Sequence, residues 1–149
     1  MPRTALIVPV REAGAYYSGA PGVPAHVTLL FPFVEGDEVD EQAVRDLLSR
    51  FPAFDFELDR VERFENGVPW LHPSPSAPFA DLTAAIFERW PDNPPYEGAF
   101  DEVIPHVTIT REDVEQLPIR CRATEVWLIE EQGEEPGGAW ATRLQIPLR

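Results

Sequence analysis

Two short segments of this chain repeat one pattern of residue types. Segment 24–29 reads PAHVTL and segment 105–109 reads PHVTI, so each holds a His-x-Thr unit in an apolar run that follows a proline. The four polar residues are His26, Thr28, His106 and Thr108. Because a strand alternates its side chains between two faces, the His and Thr of each unit share one face. Two such strands side by side would place two imidazoles and two hydroxyls around one pocket.

This set of side chains is suited to acid–base chemistry on a phosphate. Two histidines near their ordinary pKa of ~6.5 can serve as one neutral base and one charged acid at neutral pH. The threonine hydroxyls can donate to phosphate oxygens where negative charge develops. The sequence leaves open which of the two histidines is the base.

The chain offers few other groups for metal or redox chemistry. It has a single cysteine, Cys121, so no intrachain disulfide and no cysteine-based metal site can form. Two histidines without a nearby set of acidic ligands make a poor metal site. We therefore expect neither a metal nor a cofactor.

Three further residues are candidates for binding the substrate. Arg111 follows the second unit and could clamp a phosphate. In a regular strand, however, it would point away from His106, so a strand end or bulge at Thr110 would be needed to turn it round. Tyr96 and Phe33 could stack on a base, with rim or core packing as the alternative.

Three more residues have ordinary structural roles as the commoner interpretation. Tyr17 and Trp70 are aromatic and could also stack on a base, although packing is the commoner role of such residues. His72 has no threonine two positions on, so we predict a surface or strand-end residue.

Size and charge limit the possible partners. A chain of 149 residues fits one domain, spanning 1–149. The formal net charge is −14, from 26 acids against 12 arginines and no lysine, which argues against long nucleic acids. A few local arginines can still bind a small phosphate compound. No run approaches the ~20 apolar residues of a membrane span, so we expect no membrane partner and a cytoplasmic location.

Periodicity predicts an α+β chain with a largely antiparallel sheet. Helical spacing marks 37–50, with Asp40 as the N-cap, and a second helix over 79–90. Strands are predicted over 5–10, 25–33, 54–64, 68–72, 103–110, 124–131 and 141–148. A two-residue turn at Asn66-Gly67 joins the third and fourth strands, and an acidic loop over 133–138 joins the last two.

The paired motifs resemble those of the 2H phosphoesterase superfamily, the LigT-like proteins often labelled 2′-5′ RNA ligases. The likeness rests on 26–33 (HVTLLFPF) and 105–111 (PHVTITR), and on the separation of 80 positions between the two histidines. The order of elements fits over nearly the whole chain. Arginine often follows the second motif in this family, at the position of Arg111.

The resemblance implies a fold, an activity and roles for the motif residues. The fold would be bilobal and pseudo-twofold, with two antiparallel-rich sheets and flanking helices around a central cleft. The activity would be metal-independent cleavage of a 2′,3′-cyclic phosphodiester or a related small nucleotide. The histidines would be the acid–base pair, and the threonines would hydrogen-bond the phosphate oxygens.

Three alternatives remain open at this stage. The first is 2′-5′ ligation or processing of an RNA terminus, which some members of the resembled family perform. The second is a non-catalytic module that binds a nucleotide or phosphate. The third is a scaffold in which both histidines are structural, which would leave the two motifs far apart in space.

Overall fold

The computed structural model describes residues 2–98, 103–133 and 138–149 and shows one antiparallel sheet with two helices. The strands are β1 (Thr4–Pro9), β2 (His26–Leu30), β3 (Phe54–Arg63), β4 (Pro69–Ser74), β5 (Val107–Thr108), β6 (Ile119–Ala123), β7 (Glu125–Glu131) and β8 (Trp140–Pro147). The helices are α1 (Glu41–Leu48) and α2 (Ala77–Arg89), with 3₁₀ turns at Arg11–Tyr16, Gly36–Glu38 and Pro95–Gly98. The predicted α+β class and antiparallel pairing are confirmed.

The eight strands lie in the order β6-β3-β4-β5-β2-β1-β7-β8. The two motif strands, β2 and β5, are therefore neighbours at the centre, with three strands outside each of them. The two halves form a continuous sheet, joined where Val27 pairs with Val107. The bilobal arrangement implied by the resemblance is present as two four-stranded halves of this one sheet.

One face of the sheet carries the main hydrophobic core. Val27, Leu71 and Val107 are fully buried on this face and belong to the same cluster as the apolar sides of both helices. Helix α2 is fastened to β2 by the Thr83 hydroxyl, which donates to the Leu29 carbonyl at 2.7 Å. With the helices on one face, the polar residues of the central strands face the other side.

Helix α1 begins where the sequence predicts. The Asp40 side chain accepts a hydrogen bond from the Ala43 amide at 3.1 Å, which satisfies one of the free N–H groups of the first turn. At the same end of the helix, Arg143 of β8 binds Glu41, the first residue of α1, at 2.7 Å. The predicted span of 37–50 was too long at both ends.

The hairpin between β3 and β4 has a different turn from the one predicted. The Gly67 amide donates to the Phe64 carbonyl at 2.8 Å, so Glu65 and Asn66 occupy the centre of the turn. Gly67 follows with a φ of +89°, a left-handed conformation that suits glycine. This is the longer hairpin loop in which a glycine bulge follows the turn, and not a two-residue turn.

Strand β2 ends at Leu30, three residues before the predicted end at 33, and two other strands differ more from prediction. Strand β5 covers only Val107–Thr108 of the predicted 103–110, because the Thr110 amide leaves the ladder and donates to the Tyr16 carbonyl at 2.8 Å. Strand β6 at the edge of the sheet was not predicted. Residues 134–137 of the predicted acidic loop lie outside the described residues. None of the helices in the described ranges is long and apolar enough to span a membrane.

Candidate active site

The two His-x-Thr units lie side by side at the centre of the sheet. The predicted alternation holds, since Val27 and Val107 are fully buried while the motif histidines and threonines are half-exposed on the other face. Because β2 and β5 are antiparallel and Val27 pairs with Val107, the register sets each histidine opposite the threonine of the other unit. The opposed pairs are His26 with Thr108, and Thr28 with His106. Directly opposed residues have Cβ atoms ~5 Å apart, and diagonal ones, such as the two histidines, ~7–8 Å.

Both histidines are held in the same way. Nδ1 of His26 lies 2.8 Å from the Pro24 carbonyl, and Nδ1 of His106 lies 2.6 Å from the Ile104 carbonyl. A carbonyl oxygen only accepts, so each Nδ1 must carry the proton and donate it. This bond fixes the tautomer and leaves each Nε2 as the nitrogen that can exchange a proton with a ligand.

The environment lowers the pKa of both imidazoles. Burial lowers the pKa of His26 below its ordinary value of 6.5, and the charge of His106 lowers it further against the opposing bond to Pro24. Burial also lowers the pKa of His106, opposed by the bond to Ile104. The two rings are thus close enough to interact electrostatically, and a charged His106 favours a neutral His26.

Tyr96 reaches the same site from the 3₁₀ turn at Pro95–Gly98. Its phenol is hydrogen-bonded to the side chain of Thr28, and burial raises the pKa of the phenol. Its backbone amide donates to the Phe31 carbonyl at 2.6 Å. Tyr96 and Glu97 both have left-handed backbones, with φ of 50° and 57°, a strained arrangement for consecutive non-glycine residues. Such strain is concentrated at functional sites and persists only where surrounding contacts enforce it.

Aromatic rings flank each histidine on its own side of the site. The Tyr17 ring meets the His26 ring edge-on, with centroids 5.9 Å apart. Phe64 and Trp70 stack on each other at 5.0 Å, and both meet the His106 ring edge-on, at 4.9 and 6.0 Å. These contacts hold the imidazoles against rotation. The role of Phe64 was missed, although the alternation of the β3–β4 hairpin places it beside Trp70.

A cavity of about 570 Å³ opens beside the second unit. It reaches His106 and Thr108 on one side and Tyr96 on another, and its remaining lining comes from the β3–β4 turn and the chain before β5. The remaining lining residues are Phe64, Glu65, Asn66, Val68, Val103 and Ile104. A space of this size and mostly apolar lining is typical of small-molecule sites.

The structure does not bring Arg111 or Phe33 to the described cavity wall. The Arg111 guanidinium makes a two-pronged contact with the Asp113 carboxylate, at 2.9 and 2.5 Å. Its side chain is 54% exposed, and because β5 ends at Thr108 the strand alternation no longer governs its direction. Phe33 is 3% exposed and packs edge-on against Trp90 in the core.

The described residues provide no cluster of side chains suited to a metal ion. Nowhere in the described ranges do three or more His, Cys, Asp or Glu side chains lie together as a possible set of ligands. Cys121 is buried, and burial raises the pKa of its thiol to about 12, so it is present as an unreactive thiol.

Comparison with known proteins identifies a family for the sequence and similar folds among solved structures. The family model of the 2′-5′ RNA ligase superfamily matches residues 2–135. No curated protein gives a significant sequence match.

Among solved structures, E. coli LigT complexed with 3′-AMP is 20% identical with a TM-score of 0.65, each chain being covered to 99%. E. coli LigT in its apo form is 21% identical with a TM-score of 0.67, covering 99% of this chain and 98% of that one. The protein TT0787 of Thermus thermophilus is 18% identical with a TM-score of 0.68, again covering 99% and 98%. At these identities, the three structures establish the likeness of fold.

Proposed function

Because this chain belongs to the 2′-5′ RNA ligase superfamily, we propose that it hydrolyses a 2′,3′-cyclic phosphodiester of a small nucleotide by two-histidine acid–base catalysis. The observation that carries the proposal is the matched pair of Nδ1–carbonyl bonds of His26 and His106. Two imidazoles with the same fixed tautomer, on neighbouring strands, can act on two sides of one phosphate.

The effect of His106 on His26 suggests how to divide the roles. Because the charge of His106 lowers the pKa of His26, we assign His26 as the neutral base and His106 as the charged acid. Nε2 of His26 then takes a proton from water, and the water oxygen forms a bond to phosphorus. The phosphorus–oxygen bond to one ribose oxygen breaks, and Nε2–H of His106 gives its proton to that leaving oxygen.

The threonines and Tyr96 would serve the phosphate oxygens. The hydroxyls of Thr28 and Thr108 lie on the same face as the imidazoles and can donate to oxygens that gain charge in the transition state. Tyr96 also lines the cavity and fixes the Thr28 hydroxyl. Arg111 would have to leave Asp113 before it could bind a phosphate, and buried Phe33 is better suited to packing than to stacking.

The test uses purified protein and a nucleoside 2′,3′-cyclic phosphate. Replacing either histidine, as H26A or H106A, should lower kcat by about 10²–10⁴-fold while the fold is retained. Turnover should persist in excess EDTA. Unchanged turnover in both variants would show that the two-histidine mechanism is wrong, and loss with the chelator alone would indicate a metal-dependent reaction.

The superfamily match supports a second candidate, ligation or processing of an RNA end. The net charge of −14 disfavours an extended RNA groove but leaves room for a terminus. A cyclic mononucleotide should be compared with an oligonucleotide that ends in a 2′,3′-cyclic phosphate, with and without an acceptor that has a 5′-hydroxyl. Preference for the oligonucleotide, or a joined product, would favour this candidate.

A binding module without catalysis is the remaining alternative. It predicts that the cyclic nucleotide raises the melting temperature but yields no product on prolonged incubation. The histidine variants would then change the affinity for the cyclic nucleotide, and neither they nor the native protein would show turnover.

A further inference from the structure

The remaining histidine of the chain, His72, lies on the same face of the sheet as the two motif histidines. It sits inside β4 and not at a strand end, and its side chain is 22% exposed. The ladder between β4 and β5 pairs Trp70 with Thr108 and Leu71 with Val107. The next pair in this antiparallel register sets His72 opposite His106.

Ring contacts agree with this placement. The Trp70 indole has its centroid 6.0 Å from the His106 ring and 6.1 Å from the His72 ring. Both imidazoles therefore contact one indole, which is itself 5% exposed. His72 stands about one strand spacing, ~4.8 Å, farther from the centre of the site than His106 does.

A carboxylate orients the His72 ring. Its Nδ1 lies 2.8 Å from Oδ1 of Asp59 on β3. Asp59 can reach the ring because β3 has an irregularity there: Leu58 pairs with Pro73 and Val61 with Leu71, so two β3 residues oppose His72 alone. Bulges of this kind turn a side chain out of the regular pleat and are frequent next to active sites.

The bond to Asp59 decides what His72 can offer a ligand. With Nδ1–H donated to the carboxylate, Nε2 is left to hydrogen-bond a ligand, and a hydroxyl group suits it because a hydroxyl both donates and accepts. A second phosphate would instead have to approach a site that already holds the Asp59 carboxylate. From its distance to the centre, the hydroxyl would belong to the part of the substrate attached to the reacting phosphate.

From this arrangement we infer that His72, oriented by Asp59, is a specificity-determining residue whose Nε2 hydrogen-bonds a free sugar hydroxyl of the substrate. The inference rests on the proposed function, because it takes the reacting phosphate to lie between His26 and His106. In a nucleoside 2′,3′-cyclic phosphate, the free sugar hydroxyl is the one on the 5′ carbon.

The experiment compares a nucleoside 2′,3′-cyclic phosphate with its 5′-deoxy analogue and with its 5′-phosphorylated form. The native protein should turn over the 5′-deoxy analogue with a kcat/KM lower by about tenfold, the worth of one hydrogen bond. The difference should appear mainly in KM. H72A should treat the two substrates alike, H72Q should restore part of the preference because its amide can hydrogen-bond a hydroxyl, and D59N should weaken it.

The matched control is E62Q. Glu62 lies on the same strand as Asp59, but its carboxylate binds Arg60 and not His72. This variant removes one negative charge from β3 and should keep the full preference for the hydroxyl.

The results separate failure of the inference from failure of the proposed function. Equal preference in the native protein and H72A, or none in the native protein, would overturn the inference while the hydrolysis stands. A preference for the 5′-phosphorylated form that H72A abolishes would also overturn it, in favour of an anion site.

If the native protein turns over no cyclic phosphate, the proposed function fails, and calorimetric titration with the same three ligands decides the inference without turnover. Tighter binding of the hydroxyl form that H72A abolishes would support it, and any other pattern would overturn it.

Discussion

Val27 pairs with Val107 across the centre of the sheet, and this contact joins its two four-stranded halves. The pairing brings together residues from two distant parts of the chain and sets the register of both His-x-Thr units. As a result, each histidine lies opposite the threonine of the other unit. The geometry of the candidate site therefore depends on two buried valines that carry no chemistry themselves.

Weakening this contact should lower activity more than an equally destabilising substitution elsewhere in the sheet does. V107A deletes buried methyl groups at the join and should cost about 2 kcal/mol of unfolding free energy. It should also lower kcat by about tenfold or more at temperatures where the variant is folded, because small displacements of catalytic groups are costly. Chemical denaturation and steady-state kinetics measure the two effects.

The matched control is V126A. Val126 is equally buried but lies in β7 and pairs with Ile146 of β8, away from the join. It should lose similar stability and keep its kcat within about twofold. Equal kcat values in the two variants would contradict the positional role of the join.

Removing the Tyr96 hydroxyl tests the asymmetry between the two threonines. Y96F keeps the ring but loses the hydrogen bond to Thr28. We expect kcat to fall by about three- to tenfold with little change in KM, since the Thr28 hydroxyl would lose its fixed direction in the transition state. Y17F is the comparison, because Tyr17 meets His26 through its ring edge, and it should stay within about twofold. Similar losses in both variants would count against the role of Tyr96.

Local pattern predicted the face that the motif residues share, but not how the two strands meet. Alternation in 24–30 was enough to separate Val27 from His26 and Thr28. The opposed His–Thr pairs depend on a contact between β2 and β5, and a single sequence contains no signal for such a distant register. The Nδ1 hydrogen bonds depend on the backbone conformation just before each histidine, where their carbonyl partners lie.

Tertiary contacts explain the remaining differences from prediction. Strand β5 is short because Thr110 bonds Tyr16, a partner outside the sheet. The contact of His72 with Asp59 depends on an irregularity in β3, and the alternating pattern of 54–64 gives no indication of that irregularity. Arg111 has its acidic partner two residues away in the sequence, yet the contact became apparent only in the structure.

The rate should pass through a maximum on the acidic side of pH 6.5. The proposed mechanism needs His26 neutral and His106 charged, and burial lowers the pKa of both below that value. In a profile of kcat/KM, the acidic limb should report protonation of His26 and the alkaline limb loss of the proton from His106. The two values belong to the coupled pair, so the assignment needs a second measurement.

That measurement is an NMR titration of His26 in H106N. Because the charge of His106 lowers the pKa of His26, its removal should raise that pKa toward 6.5. An unchanged His26 titration, or a rate that stays level from neutral to alkaline pH, would contradict the division of roles.

Stability should fall as the solution is acidified through the range in which these histidines titrate. A histidine whose folded pKa lies below its unfolded value of 6.5 binds fewer protons when folded, so the free energy of unfolding rises with pH between the two values. Its contribution is full above the unfolded pKa and is lost as pH drops toward the folded one. We expect the native protein to begin losing stability as the pH falls below the unfolded value of ~6.5, before ordinary carboxylates start to titrate.

Substitution of the histidine should flatten this dependence. H26N removes the titrating group and should show a smaller change in unfolding free energy over the same range, whereas T28V keeps the imidazole and should retain the slope of the native protein. Urea denaturation at several pH values gives the measurement. A slope in H26N as steep as in the native protein would mean that the His26 ring is not kept neutral by its surroundings, and the assignment of His26 as the base would fail with it.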